Sequence, residues 1–437
     1  MGFFEVFSSG ASRTAAPKTG SRSVTRVCAI ALSLTLTVEL MACQTPMAPP
    51  PPPPQPPRMV FAPPPPPPPP QPPPPPGRME QPNYYRLRNT QRDIVPARVA
   101  LLLPFSSTSA DARNIANALQ RAAELALFDS SSREILLMPR DDGGTPEKAA
   151  QAAAKAIEDG AEIIVGPLFA QAVTAVAPVA RNAKIPVIAF SSDRSVGGRG
   201  VYLLSFQPAT EVRRIISYAA QKGHTSFGAL IPRTPYGDVV ADAFRASVMD
   251  AGGTITMLQT FDPKPEAVTP PARMVAQSRP DAVLIGEGGA VLQAIGPALV
   301  AGGANNRTVQ FLGTGLWDDA AVQREPVLAN GWFAGPAPES FRMFAAHYRM
   351  NFNAAPPRIA TLSYDAISLV ALLARGRPYA RFTEAALTDP TGFSGVDGIF
   401  RFRDDGSADR GLAVLQVTPN GFTIVDPAPR TFPMAGF

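Results

Sequence analysis

From residue 97 onward, short apolar runs alternate with stretches whose apolar residues recur at helical spacing. Residues 99–103 form a continuous apolar run that ends at Pro104, which is typical of a strand buried on both faces. Residues 111–129 then follow with a helical pattern, and the same alternation continues to about residue 312. Strands that alternate with helices predict parallel sheets covered by helices.

The last hundred residues follow a different pattern. Two helices are predicted near residues 339–348 and 358–373 with no strand between them, and we expect both to return to the first sheet. Antiparallel strands are then predicted at residues 398–403, 411–418 and 422–425, with Pro419-Asn420-Gly421 as a hairpin turn. The fold class is therefore α/β, with two doubly wound parallel-sheet lobes. The predicted limits are residues 97–206 and 337–392 for lobe 1, and residues 207–336 and 393–437 for lobe 2.

The first 42 residues have the pattern of an export signal. Arg22 and Arg26 precede the mostly apolar residues 27–38, a run too short to span a bilayer as a mature helix. The run Leu40-Met41-Ala42-Cys43 resembles the lipobox of bacterial lipoproteins. That resemblance implies that residues 1–42 are removed and that Cys43 is acylated and anchors the chain in a membrane leaflet. A buried structural cysteine and a start codon downstream of Met1 are the alternatives.

Residues 43–96 are predicted to be a disordered linker. Of the 28 residues from 49 to 76, 21 are proline, which fixes φ and lacks an amide donor. Such a run favours a polyproline II rod of on the order of 90 Å, at about 3.1 Å per residue. The run serves either as a spacer or as a ligand for an aromatic-lined groove, and we favour the spacer.

Charge and cysteine content exclude several function classes. Residues 1–98 carry ten of the 40 Lys and Arg residues but only four of the 35 Asp and Glu residues. The remaining 30 basic and 31 acidic residues leave the folded part without the basic footprint of a nucleic-acid-binding protein. Cys28 and Cys43 are the two cysteines, and His224 and His347 the two histidines. We therefore expect no metal site, no cofactor and no thiol nucleophile in the folded part.

Seven segments of the chain occur in the order and at the spacing of a known family: VALLLPFSS, VGPLFAQAVTAVAPVARNAKIPVIAFSS, IPRTPYGDVVADAFRASVMDAGG, RPDAVLIGEGG, FLGTGLWDD, LSYDAISLVALLA and GFSGVDGIFRFRDDG. They resemble type I periplasmic-binding proteins of the leucine-binding kind over about residues 97–426. The resemblance implies two lobes joined by three hinge crossovers that close on a small ligand. The lipid anchor, the proline arm and the PRDDGG and IVGPLF segments are closest in style to lipoprotein activators of penicillin-binding proteins, which regulate peptidoglycan synthases. Those activators often carry a helical-repeat domain where this chain has its linker.

Candidate ligand-binding residues are those that follow predicted strands, because ligands of such sheets bind outside the carboxyl ends of the strands. They are Ser106, Ser107, Leu168, Phe169, Ser191, Ser192, Tyr236, Gly315 and Trp317. Hydroxyls and free amides at helix starts suit a ligand carboxylate. In amino-acid-binding relatives, hydroxyl residues follow the Gly-Pro strand and the next strand. Ser191 and Ser192 match the second position, whereas Leu168 and Phe169 replace the first with apolar bulk. Turn formation by the serines, a helix start at Tyr236 and a core position for Trp317 are the alternatives.

These features together predict a lipid-anchored, non-catalytic binding protein on the periplasmic face of the outer membrane, since Gln44 is not the aspartate that retains many lipoproteins at the inner membrane. The inner membrane is the alternative location. The expected partners are the membrane, through Cys43, a small amino-acid-like or envelope-derived ligand, and a peptidoglycan synthase. The alternative function is the substrate-binding lipoprotein of an ABC-type branched-chain amino-acid importer. A hydrolase is disfavoured, because no candidate nucleophile has a base within its motif.

Overall fold

The computed structural model describes residues 85–87 and 95–432. The predicted signal segment, Cys43 and the proline-rich run lie outside these residues. The first half of the described chain alternates strands and helices: β1 (Ala97–Leu103), α1 (Ala110–Asp129), β2 (Ile135–Asp141), α2 (Pro146–Glu158), β3 (Ile163–Val165), α3 (Ala170–Ala183), β4 (Val187–Ala189), β5 (Val201–Leu203), α4 (Pro208–Gln221), β6 (Ser226–Pro232), α5 (Pro235–Asp250) and β7 (Thr254–Phe261).

The second half begins with the same alternation and then changes to two successive helices and an antiparallel end. Its elements are α6 (Thr269–Gln277), β8 (Ala282–Ile285), α7 (Gly289–Ala301), β9 (Gln310–Gly313), α8 (Ala320–Gln323), β10 (Trp332–Gly335), α9 (Pro338–Phe352), α10 (Ala360–Leu373), α11 (Glu384–Leu387), β11 (Phe393–Gly395), β12 (Gly398–Phe402), β13 (Ala408–Arg410), β14 (Ala413–Thr418) and β15 (Gly421–Asp426).

Lobe 1 is built on a parallel five-stranded sheet in the order β2-β1-β3-β4-β5. The strands are short and almost wholly apolar, and β1 is buried along nearly its full length because helices cover both faces. Helix α10 packs against this sheet, and α9 packs against α1 and α10 through Phe344 and Tyr348. The predicted return of the two consecutive helices to the first lobe is confirmed.

Lobe 2 contains a seven-stranded sheet in the order β15-β14-β10-β9-β8-β6-β7. Strands β6 to β10 are parallel, and β14 and β15 add an antiparallel hairpin at the edge beside β10. The hairpin turn at Pro419-Asn420-Gly421 and the extension of the second sheet occur as predicted. The α/β class with two parallel-sheet lobes is confirmed.

One part of the predicted lobe boundary is wrong. Strands β11, β12 and β13 form a separate antiparallel sheet, and Phe400, Phe402 and Ala408 lie in the same buried cluster as the first sheet. Phe402 packs on Tyr202 with a distance of 5.2 Å between ring centroids. Residues 393–410 therefore belong to lobe 1 rather than to lobe 2, because their aromatic side chains cover that sheet.

The chain crosses between the lobes three times. The crossovers lie between β5 and α4, between β10 and α9, and between β13 and β14. The first of them, residues 204–207, leads directly into the first turn of α4 and forms one wall of the space between the lobes.

Candidate functional site

A cavity of about 300 Å³ lies between the two lobes at the first crossover. Lobe 1 contributes two of its lining residues, lobe 2 contributes four, and the crossover with the start of α4 contributes three. The lining residues are Ser192, Phe206, Pro208, Glu211, Tyr236, Gly315, Leu316, Asp318 and Arg358. The volume is near the lower end of small-molecule pockets, which hold roughly 300–1,000 Å³, so it fits a ligand of amino-acid size.

Glu211 is the buried carboxyl group of this cavity. It lies in the first turn of α4, is only 8% exposed, and its Oε2 accepts a hydrogen bond of 2.8 Å from the amide of Gly315. Burial raises the pKa of Glu211 to about 7, and the Gly315 amide offsets only part of that rise. Within residues 95–432, Glu211 forms no ion pair with a cationic side chain. A ligand ammonium or other donor would satisfy this group when it ionises.

Tyr236 is held in position by two features of the start of α5. Its hydroxyl forms a hydrogen bond of 2.7 Å with Oγ1 of Thr314, at the end of β9. Burial raises the pKa of Tyr236, so the phenol remains neutral and available for hydrogen bonding. Gly237 follows it because a Cβ there would lie 1.8 Å from the carbonyl oxygen of Pro232. The glycine therefore lets the first turn of α5 approach the end of β6 and directs Tyr236 toward the cavity.

Arg358 also lines the cavity and connects the two lobes. It precedes α10 in lobe 1, and it forms an ion pair of 3.1 Å with Asp318 of lobe 2 and one of 2.9 Å with Asp397 of lobe 1. Its guanidinium also lies 4.5 Å from the ring centroid of Phe341. Burial raises the pKa of Asp318, and the charge of Arg358 lowers it in part.

These groups give the cavity a clear chemical character. Phe206, Pro208 and Leu316 provide apolar surface, Glu211 provides an acceptor, and Arg358 provides a cation. Such a cavity suits a small ligand with an apolar body and hydrogen-bonding ends. Among the residues that line it there is no histidine or cysteine, and its single serine, Ser192, has no basic side chain within hydrogen-bonding reach in the described chain.

Three of the predicted site residues line the cavity: Ser192, Tyr236 and Gly315. Ser106 and Ser107 lie in the loop after β1 and do not line it. The Ser106 amide donates to Asp141 and the Ser107 carbonyl accepts from Arg113. The hydroxyl of Ser191 is 3.2 Å from the amide of Asp193, from which it accepts a hydrogen bond, so it has the turn-forming role of the alternative interpretation.

The other predicted lobe 1 residues pack inward. Leu168 lies against the cluster that contains β1 and α10, and Phe169 lies against the cluster on the opposite face of the sheet. The ring of Phe169 also approaches Gly144, where a Cβ would lie 3.2 Å from it. Neither residue lines the cavity between the lobes.

The prediction that Trp317 contacts a ligand is wrong. Its side chain is 0% exposed and lies in the core of lobe 2. The indole packs on the backbone of Gly313, where a Cβ would lie 2.1 Å from it, and on Gly331. Two glycines thus open a space for the indole beneath the loop, and the loop presents Leu316 to the cavity instead.

The sequence-based choice missed six lining residues: Phe206, Pro208, Glu211, Leu316, Asp318 and Arg358. The first three belong to the crossover and the first turn of α4 rather than to the end of a strand. The acid within the first turn of a helix that directly follows a crossover was the available signal for Glu211.

Among the helices of the described residues 85–87 and 95–432, none combines the length and the apolar character that a bilayer-spanning helix needs. No group of three or more His, Cys, Asp and Glu side chains in that part of the chain could hold a metal ion.

Comparisons with known proteins agree with this architecture. Residues 96–422 match the family model described as periplasmic binding protein. Among solved structures, a periplasmic ligand-binding protein of a branched-chain amino acid ABC transporter from Burkholderia xenovorans is 17% identical, with a TM-score of 0.64, and the alignment covers 76% of this chain and 96% of that one. An ABC transporter substrate-binding protein from Sphaerobacter thermophilus is 18% identical with a TM-score of 0.61, over 77% of this chain and 98% of that one. At these identities the similarity shows the fold alone.

Curated proteins with sequence similarity to this chain include penicillin-binding protein activators rather than transporter proteins. The penicillin-binding protein activator LpoA of Klebsiella pneumoniae is 28% identical over 148 residues, which is 34% of this chain and 19% of that protein. LpoA of Enterobacter is 30% identical over 140 residues, 32% of this chain and 17% of that protein. The chain thus matches less than a fifth of the length of these relatives. Because the family model covers the two lobes almost completely, this chain belongs to the periplasmic binding protein family.

Proposed function

We propose that the chain is a non-catalytic, lipid-anchored regulator of peptidoglycan synthesis whose cleft binds a small ligand or a partner segment. The observation that carries the proposal is the sequence similarity to penicillin-binding protein activators, which are 27–30% identical to this chain over 140–148 residues. The matched part is less than a fifth of the activators' length. The activating role is therefore a proposal for this chain.

The lobe 1 side of the cleft supports the same proposal. In amino-acid-binding relatives, as noted above, a hydroxyl residue follows the Gly-Pro strand, whereas this chain has Leu168 and Phe169, which pack inward. The hydroxyl of Ser191 is used within its own turn, which leaves Ser192 as the lobe 1 hydroxyl at the cavity. The lobe 1 loops therefore offer a ligand carboxylate one hydroxyl rather than two, and the guanidinium of Arg358 is already paired with Asp318 and Asp397. Both features argue against a free amino acid as the main ligand.

Affinity capture tests the proposed partner. The full-length chain with a C-terminal tag is purified from detergent-solubilised envelopes, and co-purified proteins are identified by mass spectrometry. We expect a peptidoglycan synthase, and we expect its yield to survive washing at moderate salt. Recovery of a permease in place of a synthase would contradict the proposal. A Cys43→Ser variant is the matched control for anchoring, since it should lose incorporation of a palmitate analogue and shift to the soluble fraction.

The second candidate function is the substrate-binding lipoprotein of an amino-acid importer. The observation that favours it is that one amino-acid-sized cavity is lined by both a carboxyl group, Glu211, and a guanidinium group, Arg358. Titration calorimetry with L-leucine, L-isoleucine and L-valine tests it. Tight binding that Glu211→Gln abolishes would support the importer function, and the absence of binding for all three would exclude it for these ligands.

A further inference from the structure

A second cavity lies at the same crossover, with a volume of about 240 Å³. It is lined almost entirely by polar groups, and three of them are arginines: Arg194 and Arg403 from lobe 1 and Arg213 from α4. The other lining residues are Gln207, Thr210, Asp405, Ser407, Ala408 and Asp409, so three cationic side chains face two anionic ones. This cavity shares no lining residue with the cleft.

The two cavities lie on opposite faces of one segment. Phe206 and Pro208 line the cleft, whereas Gln207, the residue between them in the sequence, lines the second cavity. Gln207 has extended φ and ψ, and in an extended segment neighbouring side chains point to opposite sides. On α4, Thr210 and Arg213 are each two positions beyond the cleft-lining Pro208 and Glu211. Two positions correspond to roughly 200° around a helix. The second cavity is therefore behind the crossover, on the side away from the cleft.

Two of the arginines are weakly engaged. Arg194 is half exposed and its contact with Asp405 is 3.9 Å, the outer limit of an ion pair. Arg213 is exposed and forms no ion pair within residues 95–432. The acids of the cavity have closer partners: Asp405 accepts from the amide of Ser407, and Asp409 pairs with Arg401 at 3.0 Å and with Arg403 at 3.4 Å.

An anion with hydroxyl groups matches these side chains. Arginine is the side chain best suited to bind carboxylate or phosphate with two parallel hydrogen bonds. The first turn of α4 adds the positive end of a helix dipole. Hydroxyls of the ligand would find a donor and an acceptor in Thr210 and further acceptor positions on Asp405, to which the Ser407 hydroxyl already donates. We infer that this cavity binds a small, hydroxyl-bearing anion, in chemical terms an acidic or phosphorylated sugar.

Binding at this position depends on the arrangement of the lobes. Arg194 belongs to lobe 1 and Arg213 to the first helix of lobe 2, so an anion held by both connects the lobes behind their hinge. Any rotation of the lobes about the crossover changes the distance between these two guanidinium groups. The second cavity is thus a place where an envelope saccharide would influence the cleft without entering it.

Titration calorimetry on the full-length protein tests the inference, with glucuronate, glucose 6-phosphate, inorganic phosphate and neutral glucose as probes. We expect saturable binding of at least one sugar anion and none of glucose. Arg213→Ala should weaken that binding about tenfold or more, as should Arg194→Ala on the other lobe. Arg273→Ala, an exposed arginine on α6, is the matched control and should leave the affinity unchanged.

Several results would overturn the inference. These are no binding of either sugar anion, equal binding of glucose, or equal affinities of the Arg213→Ala and Arg273→Ala variants. Phosphate that binds as tightly as glucose 6-phosphate would refute the role of the hydroxyls. Arg194 and Arg213 are both exposed, so neither substitution removes a buried contact. An unchanged midpoint of thermal unfolding would confirm that both variants are folded. Affinity capture of a synthase does not depend on these titrations, so failure of the inference and failure of the proposed function are distinguishable.

Discussion

The two lobes face the same cleft but contribute to it very differently. In lobe 1, the loops at the carboxyl ends of the strands use their polar groups internally: Ser191 caps its own turn and Ser106 binds Asp141. In lobe 2, Tyr236 and Leu316 project into the cavity from equivalent loops. Position at the edge of a sheet is therefore insufficient to identify a ligand contact. A side chain is available to a ligand only where the surrounding loop does not already satisfy or bury it.

The largest effect on stability is expected at Trp317, which packs beneath the lobe 2 loop that presents Leu316 to the cavity. Trp317→Ala should lower the free energy of unfolding by about 3–5 kcal/mol, because it leaves a large cavity in the core of lobe 2. Urea unfolding followed by circular dichroism measures this change. Leu316→Ala, next to it and 43% exposed, should cost less than about 1 kcal/mol. Similar losses for both variants would contradict the separation of core and cleft residues in this loop.

The next effect concerns the crossover that both lobes share. Burial raises the pKa of Glu211 to about 7 in the folded chain, above its ordinary value of 4.5. Folding therefore favours the neutral form of Glu211. The stability that this protonated carboxyl contributes to the folded chain is fully present below about pH 4.5 and is lost as the pH rises through about 7. Glu211→Gln cannot ionise, and we expect it to be more stable than the natural chain above pH 7, by on the order of 3 kcal/mol.

Chemical unfolding across this pH range measures the effect. Glu266→Gln, at an exposed position, should keep the natural pH profile. Some dependence on pH will remain in Glu211→Gln, because burial also raises the pKa of Asp365 to about 7. A pH profile unchanged by Glu211→Gln would show that the carboxyl is well solvated and would refute its buried position.

Much of this fold could be predicted from the sequence, because its strands are short apolar runs with clear turns between them. The return of residues 393–410 to lobe 1 could not, since alternating Phe400 and Phe402 indicate a strand with a buried face but not which sheet they cover. The burial of Trp317 depends on the missing side chains of Gly313 and Gly331, which meet it only in the folded chain. Arg358 and Glu211 reach the cavity from segments far apart in sequence, so only the crossover geometry brings them together.

The smallest effect concerns the contact between the lobes. Asp318→Asn removes one charge of the pair with Arg358 but leaves the pair of Arg358 with Asp397 within lobe 1. We expect a stability loss of about 1 kcal/mol or less, together with a larger open fraction of the lobes. Small-angle X-ray scattering should show an increased radius of gyration. Asp242→Asn, which breaks an exposed ion pair on α5, is the control and should change neither quantity.

The rate of glycan polymerisation by a purified peptidoglycan synthase tests the central claim most directly. The synthase recovered by affinity capture is assayed alone and with an equimolar amount of the full-length chain. The account predicts a faster reaction with the chain present, and a smaller increase with a chain from which residues 95–432 have been removed. An unchanged rate, together with tight binding of a branched-chain amino acid in the cleft, would contradict it and establish the importer function instead.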